Sequence, residues 1–214
     1  PPRSTPKPSS AASDVYKRQG MREAVLFDLD GTLLDNTAQL LEAWKQALAK
    51  LKIPYRDDEE ILRQFGKRTT DIAVFFAGNM DKALKLVRLK DEIYDGLWIK
   101  YSKLYPGVIE TLAEIKRRGF PCGIASSNRV ERIKKMLKHF SLASYVDAVV
   151  GYDEVETGKP HPDMLLKLAE RLKVEVSQLA YAGDSIYDVE MAKKAGAISI
   201  LIPSTLFKLQ RQKM

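Results

Sequence analysis

The segment AVLFDLDGT, residues 24–32, constrains this chain more than any other. An apolar run of strand length stops abruptly at two aspartates and a glycine. A strand without polar alternation is buried on both faces, as in a parallel sheet, and acids at its end mark where the sheet opens to solvent. The sequence after Pro106 supplies the rest of such a sheet. It reads as helix 107–118, strand 121–125, helix 130–139, a short strand 147–150, helix 162–172, strand 178–182, helix 186–195 and strand 197–202. Strands alternating with helices build βαβ units with right-handed crossovers. Residues 36–105 interrupt this rhythm with helical patterns only. Leu40, Leu41, Trp44, Leu48 and Leu51 recur at helical spacing before Pro54, and EEILRQF, TTDIAVFFA and a long segment 81–105 follow, with Gly66, Gly78 and Gly96 as punctuation. The pattern predicts an α/β fold, a doubly wound parallel sheet, with an inserted α-helical cap. The core is residues 21–35 and 106–214, the cap 36–105.

Composition narrows the function classes. One cysteine, Cys122, excludes a disulfide scaffold and a structural zinc site built on several thiolates. No apolar run reaches the roughly 18–20 residues of a membrane helix. The reading is therefore a cytoplasmic globular protein, monomer or homodimer, without a membrane partner. The net charge of +7 would invite a nucleic-acid reading, yet residues 1–20 hold Arg3, Lys7, Lys17 and Arg18 against Asp14 alone. Elsewhere Lys and Arg alternate with acids rather than forming a basic stripe with aromatics, so no nucleic-acid partner is expected. The Pro/Ser-rich leader 1–20 has neither the apolar core of a secretion signal nor an amphipathic pattern. It is expected to be disordered and not native, with Met21 as the natural start.

Four polar clusters each follow a predicted strand: Asp28 and Asp30; Ser126, Ser127 and Asn128; Lys159; Asp184 and Asp188. In an open parallel sheet these loops converge on the edge where ligands bind. Converging carboxylates repel unless a cation holds them, and hard oxygen donors suit Mg2+, which shares its shell with a substrate phosphate. Lys159 adds positive charge for the same anion. Ser126 offers a hydroxyl, and the Ser127 N–H at the turn into a helix offers a phosphate cradle. An aspartate is a competent nucleophile for phosphoryl transfer, a reaction that asks mainly for positioning and charge neutralisation.

VLFDLDGTLLD, IASSN, TGKPHPD and AGDSIYDVEMAKKAG resemble, in order and spacing, the four motifs of the haloacid dehalogenase superfamily with its Rossmann-like core. The resemblance covers residues 24–196. It implies a phosphatase of a small phosphorylated metabolite that works through an aspartyl phosphate. Asp28 would be nucleophile and metal ligand. Asp30 would be general acid and then base, with its carbonyl on Mg2+. Ser126 would bind the phosphoryl group and Lys159 would neutralise it. Asp184 would ligate the metal, and Asp188 would support it directly or through water. The second aspartate of DxD argues against dehalogenation. The helical cap is similar to that of the phosphoglycolate phosphatase and β-phosphoglucomutase group. DNTA followed by AWK, residues 35–38 and 43–45, resembles the mutases' helix. Thr32 and Leu40, where mutases carry Val or Ile and a histidine, favour the phosphatase; a sugar-phosphate mutase and a non-catalytic phospho-ligand-binding protein are the alternatives. Gly66–Asp71 resembles the loop such caps lower over the site, and Lys67 or Arg68 would meet a second anionic group of the substrate.

Other residues carry ordinary roles in this reading. Asp35 is expected to cap the following helix, and His161 and His139 to lie on the surface. Cys122 is expected to be an inert buried thiol, Trp44 and Trp98 to pack the cap, and the lysines of 81–105 to be solvated. The last dozen residues read equally as a short helix or a tail.

Overall fold

The computed structural model describes residues 23–211; the leader 1–20 lies outside them. The chain runs through β1 (Ala24–Phe27), β2 (Leu34–Asp35), α1 (Thr37–Lys50), α2 (Asp58–Leu62), α3 (Thr69–Ala77) and α4 (Met80–Tyr101). It continues through β3 (Lys103–Leu104), α5 (Val108–Arg117), β4 (Cys122–Ser126), α6 (Val130–His139), β5 (Ala148–Gly151) and α7 (Asp163–Leu172). It ends with β6 (Leu179–Gly183), α8 (Ile186–Ala195), β7 (Ile198–Leu201) and α9 (Thr205–Arg211).

Five strands form one sheet in the order β5-β4-β1-β6-β7, every neighbour parallel. The period of two along each strand sorts its side chains between two layers. Ala24 and Leu26 of β1, with Leu179 and Tyr181 of β6, pack against Leu165 and Leu168 of α7 and Met191 of α8. Phe27, Cys122, Ile124 and Ala182 face Leu112 of α5 and Ile133 and Met136 of α6. Leu26 is completely buried, a gain of ~2 kcal/mol. Strand β1 lies at the centre, where the strand order reverses, and its C-terminal end is the switch point at which such sheets bind ligands.

The inserted helices build a second apolar cluster from Trp44, Leu48, Ile61, Ile72, Leu86 and Val87 among others. Asp57 and Asn79 start α2 and α4 by accepting from the backbone N–H of Glu60 and Lys82, and Gly78 ends α3 in the left-handed conformation. Gly96 does not punctuate. Helix α4 runs straight through it, because Tyr94 and Trp98 bury against the sheet layer and outweigh the ~1 kcal/mol a mid-helix glycine costs. Trp98 thus packs the core rather than the cap, against His139 and Phe140. Entry to and exit from the insert pair as an antiparallel two-residue ribbon, Leu34 with Leu104 and Asp35 with Lys103. The C-terminal residues that read two ways form helix α9.

Candidate active site

The floor of the site is set by the ends of β1, β5 and β6. The Asp28 N–H donates to the Ala182 carbonyl at 2.8 Å, continuing the β1–β6 ladder and fixing the carboxylate at the sheet edge. Lys159, fully buried in the loop after β5, places its Nζ 2.8 Å from Asp28 Oδ1 and 2.7 Å from Asp188 Oδ1. Asp188 is otherwise spent. Its Oδ1 accepts from the Tyr181 hydroxyl at 2.8 Å, and its Oδ2 accepts from the Ser185 N–H at 3.0 Å and hydroxyl at 2.5 Å. Ser185 and Asp188 form the reciprocal capping box that starts α8. Asp188 thus holds Lys159 through Oδ1, while Asp28 and Asp184 keep fewer protein partners.

Oxygens of Asp28, Asp184 and Asp188 lie within 4.8 Å of one another. Fully ionised, the three carboxylates and one ammonium would leave two negative charges in a buried space. Burial raises the Asp28 carboxyl well above its ordinary range, Lys159 opposes this, and Asp188 and Asp184 reinforce it. Burial, then the Asp188 charge, pushes Asp184 up to about 7. Burial pulls Lys159 down, but Asp188 and Asp28 outweigh it and hold the ammonium above its usual range. Hard oxygens and a deficit of two charges fit one divalent cation. Gly31 turns the chain here at φ +77°, and a Cβ on it would lie 2.6 Å from Asp184 Oδ2.

Asp30 lines the pocket from the side wall, outside that carboxylate cluster. Its Oδ1 accepts from the Asn36 amide and, at 3.1 Å, from the Tyr94 hydroxyl; its Oδ2 accepts from the Asn128 amide. Asn36, not Asp35, occupies the N-cap position of α1, and it donates to Asp30 and Tyr94 instead of capping. Asp35 is exposed in β2. Ser126 is buried, with its hydroxyl accepting from the Asn128 N–H at 3.2 Å. Ser127 and Asn128 line the pocket.

The roof is held down by short-range contacts. The Ser127 hydroxyl donates to the Gly66 carbonyl at 3.1 Å, and Thr69 returns a bond to the Ser127 carbonyl at 3.2 Å. Gly66 has φ +93°, and a Cβ there would sit 2.5 Å from Ser185 Oγ. Lys67 reaches the pocket, with its Nζ 2.9 Å from Gln64 Oε1 and 5.2 Å above the Tyr187 ring. The structure does not bring Arg68 there. Its guanidinium donates to the Glu156 carbonyl at 2.8 Å and docks the loop onto the core. Lys90, by contrast, is no solvated lysine. It is 1 % exposed and lines the pocket from α4, its Nζ 2.6 Å from Asp91 Oδ1 and 5.4 Å from the Trp44 ring. Burial lowers its pKa despite Asp91. The sequence carried a signal for it, since Ala83, Leu86, Val87, Lys90 and Tyr94 form one continuous stripe at helical spacing. A lysine inside such a stripe points inward. Leu40, Trp44 and Leu206 complete the wall, and the enclosed space is only about 50 Å³. That holds a few waters.

Cys122 is buried, which pushes its thiol up to about 12, and His139 and His161 are exposed. The model of haloacid dehalogenase-like hydrolases matches residues 25–202, from the first strand through the last. The chain belongs to that family. A phosphoglycolate phosphatase of Escherichia coli (strain K12) is 30% identical over 199 residues, covering 82% of this chain and 79% of its own. The crystal structure of a hydrolase from Pseudomonas syringae matches with a TM-score of 0.77 at 26% identity, covering 84% of this chain and 83% of that one. CbbY from Rhodobacter sphaeroides, crystallised with xylulose-(1,5)bisphosphate, shares the fold with a TM-score of 0.78 at 23% identity over 88% of this chain and 89% of its own. This haloacid dehalogenase-like hydrolase is an enzyme, and among its described residues no helix is long and apolar enough to cross a membrane.

Proposed function

We propose that this enzyme is a Mg2+-dependent phosphatase that hydrolyses a small phosphorylated metabolite through an aspartyl phosphate on Asp28. The observation that carries this is the Asp28 carboxylate, buried at the centre of the sheet edge, 2.8 Å from the Lys159 ammonium and with a deficit of two charges around it. Asp28 and Asp184 would hold the cation, which when bound supplies charge neutralisation for the phosphoryl group. The chain's own residues do the rest. Asp28 Oδ forms a bond to phosphorus as the bond to the leaving oxygen breaks, and Asp30 gives that oxygen a proton. Water then attacks the phosphorus, its proton returns to Asp30, and inorganic phosphate and the free Asp28 carboxylate result. Lys159 balances charge on Asp28 and phosphate, and Ser126 and the Ser127 N–H receive the phosphoryl oxygens.

Residues 36–105 act as the cap in this reading, hinged at the β2–β3 ribbon. Lys67 and Lys90 face the leaving group, so the preferred substrate carries a second anionic group. 2-Phosphoglycolate, the substrate class the Escherichia coli relative is named for, carries the second anionic group that Lys67 and Lys90 would meet. Leu40 in the wall offers no histidine for a mutase, which supports hydrolysis over transfer. The test is phosphate release from p-nitrophenyl phosphate and a panel of phosphorylated metabolites, with Mg2+ and with EDTA. Metal-dependent turnover abolished in Asp28→Asn is expected, with a phosphorylated acid as the best substrate. Turnover that survives either EDTA or Asp28→Asn overturns the mechanism.

A further inference from the structure

Arg132 stands in the first turn of α6, outside every motif, and its side chain is 9 % exposed. Its Nη1 is 3.0 Å from Asp91 Oδ1 and its Nε 2.8 Å from Asp95 Oδ1, both on α4. The same Nη1 lies 3.5 Å from Asn128 Oδ1, and the guanidinium carbon stands 5.6 Å from the centre of the Tyr94 ring. Asn128 and Tyr94 are two of the three donors that hold the Asp30 carboxylate. One planar cation therefore touches the cap helix through two carboxylates, and touches both a core and a cap residue that fix Asp30.

We infer that Arg132 is a positioning residue that couples closure of the cap to the placement of Asp30, through Asn128 on one side and Tyr94 on the other. With the cap down, Asp91 and Asp95 anchor the guanidinium. The guanidinium then orients the Asn128 amide, whose Nδ2 points at Asp30, and backs the Tyr94 ring, whose hydroxyl does the same. With the cap raised, Asp91 and Asp95 leave the guanidinium, and Asn128 and Tyr94 lose the anchored cation that orients them, so Asp30 is held less firmly when no substrate is enclosed. Only a fork-shaped cation can meet two carboxylates and an amide at once; a lysine ammonium meets them one at a time.

This inference rests on the phosphatase reading with Asp30 as proton donor, and the leaving group separates the two. An alkoxide leaves only with a proton from Asp30, whereas p-nitrophenolate leaves without one. The ratio kcat/KM reports steps up to the departure of the leaving group. Arg132→Ala is expected to lower kcat/KM for an alkyl phosphate by ~10–100-fold, as loss of an orienting partner does, and that for p-nitrophenyl phosphate by less than ~3-fold. Arg132→Lys recovers part of the alkyl-phosphate loss. Asp95→Asn, at an exposed position that folding tolerates, shifts the same ratio in the same direction by a smaller factor and adds nothing in the Arg132→Ala background. Equal losses on both substrates in Arg132→Ala and Asp95→Asn, with Asp28→Asn inactive, overturn the positioning role and leave the phosphatase standing. Wild-type protein without turnover, or an active Asp28→Asn, overturns both.

Discussion

Two lysines of this region are fully buried, one beneath the site and one lining the pocket, and their countercharges differ. Lys159 in the floor meets two carboxylates, Asp28 and Asp188, at 2.8 and 2.7 Å. Lys90 in the roof meets one, Asp91 at 2.6 Å, and shares that oxygen with Arg132. Burial opposes the charge of both. In the floor the two acids overcome it and the pKa rises; in the roof one shared acid does not, and the pKa falls. The floor lysine is a structural countercharge, held ionised whether or not a ligand is present. The roof lysine is under-neutralised, and the anionic group of the proposed substrate would supply what it lacks. A site can thus use one residue type as scaffold on one wall and as receptor on the other.

Removing the floor lysine should have the largest effect. Lys159→Met leaves Asp28 and Asp188 buried beside Asp184 with no cation, the situation in which breaking a buried pair costs about 3–5 kcal/mol. Chemical denaturation should show that loss in EDTA, Mg2+ should restore part of it, and turnover should vanish. A stability change below about 1 kcal/mol in EDTA would mean that the floor carboxyls are already neutral without their lysine, and the contrast with Lys90 would collapse.

Metal removal probes the same floor through pH. The Asp184 carboxyl, at about 7 when folded against an ordinary 3.8, binds its proton more tightly in the folded chain. Its contribution to stability is therefore complete below about pH 4 and is lost as pH rises through 7, with a ceiling of ~4 kcal/mol at ~1.4 kcal/mol per unit. Mg2+ needs the ionised form, so the melting-temperature difference between Mg2+ and EDTA should widen from about pH 5 to pH 8. A difference that is flat over that range would show that Asp184 is not the ligand that titrates.

The sheet, its helices and the polar clusters at its C-terminal edge were legible because each rests on a local signal: apolar runs of strand length, helical periodicity, and acids where a run stops. The β2–β3 ribbon was not, since two residues per strand carry no period. Arg132 was invisible because its partners, Asp91 and Asp95, are brought to it by the insert folding back over the sheet, and Asn36 because no spacing rule ties a helix-start amide to an acid six residues earlier. Arg68 shows the reverse failure. Its neighbour Lys67 enters the pocket, but the turn at Gly66 sends Arg68 outward to Glu156, and no spacing rule tells adjacent loop residues apart. Lys90 is legible in principle, from a charged residue in an apolar stripe, but lysines on long helices are ordinarily solvated, and that rule competes with the stripe.

The smallest effect should come from the roof. Lys90→Met removes a charge that burial already disfavours, and Asp91 keeps Arg132 at 3.0 Å, so no carboxylate is stranded. Replacing a buried ion by an apolar side chain of similar length is neutral or stabilising, and the melting temperature should hold or rise. The loss falls on recognition. For a phosphate ester with a second anionic group, kcat/KM should drop by ~10–100-fold, or ~1.4–2.7 kcal/mol, while p-nitrophenyl phosphate, whose ring carries no anion, changes far less. Lys67 cannot make up the difference, because it is partly exposed, bonded to Gln64 and stacked over Tyr187, so solvent screens its charge. Equal losses on both substrates would place Lys90 among the floor-type scaffolding charges, and destabilisation by more than about 2 kcal/mol would do the same. Either result would leave the second anionic group of the substrate without its receptor.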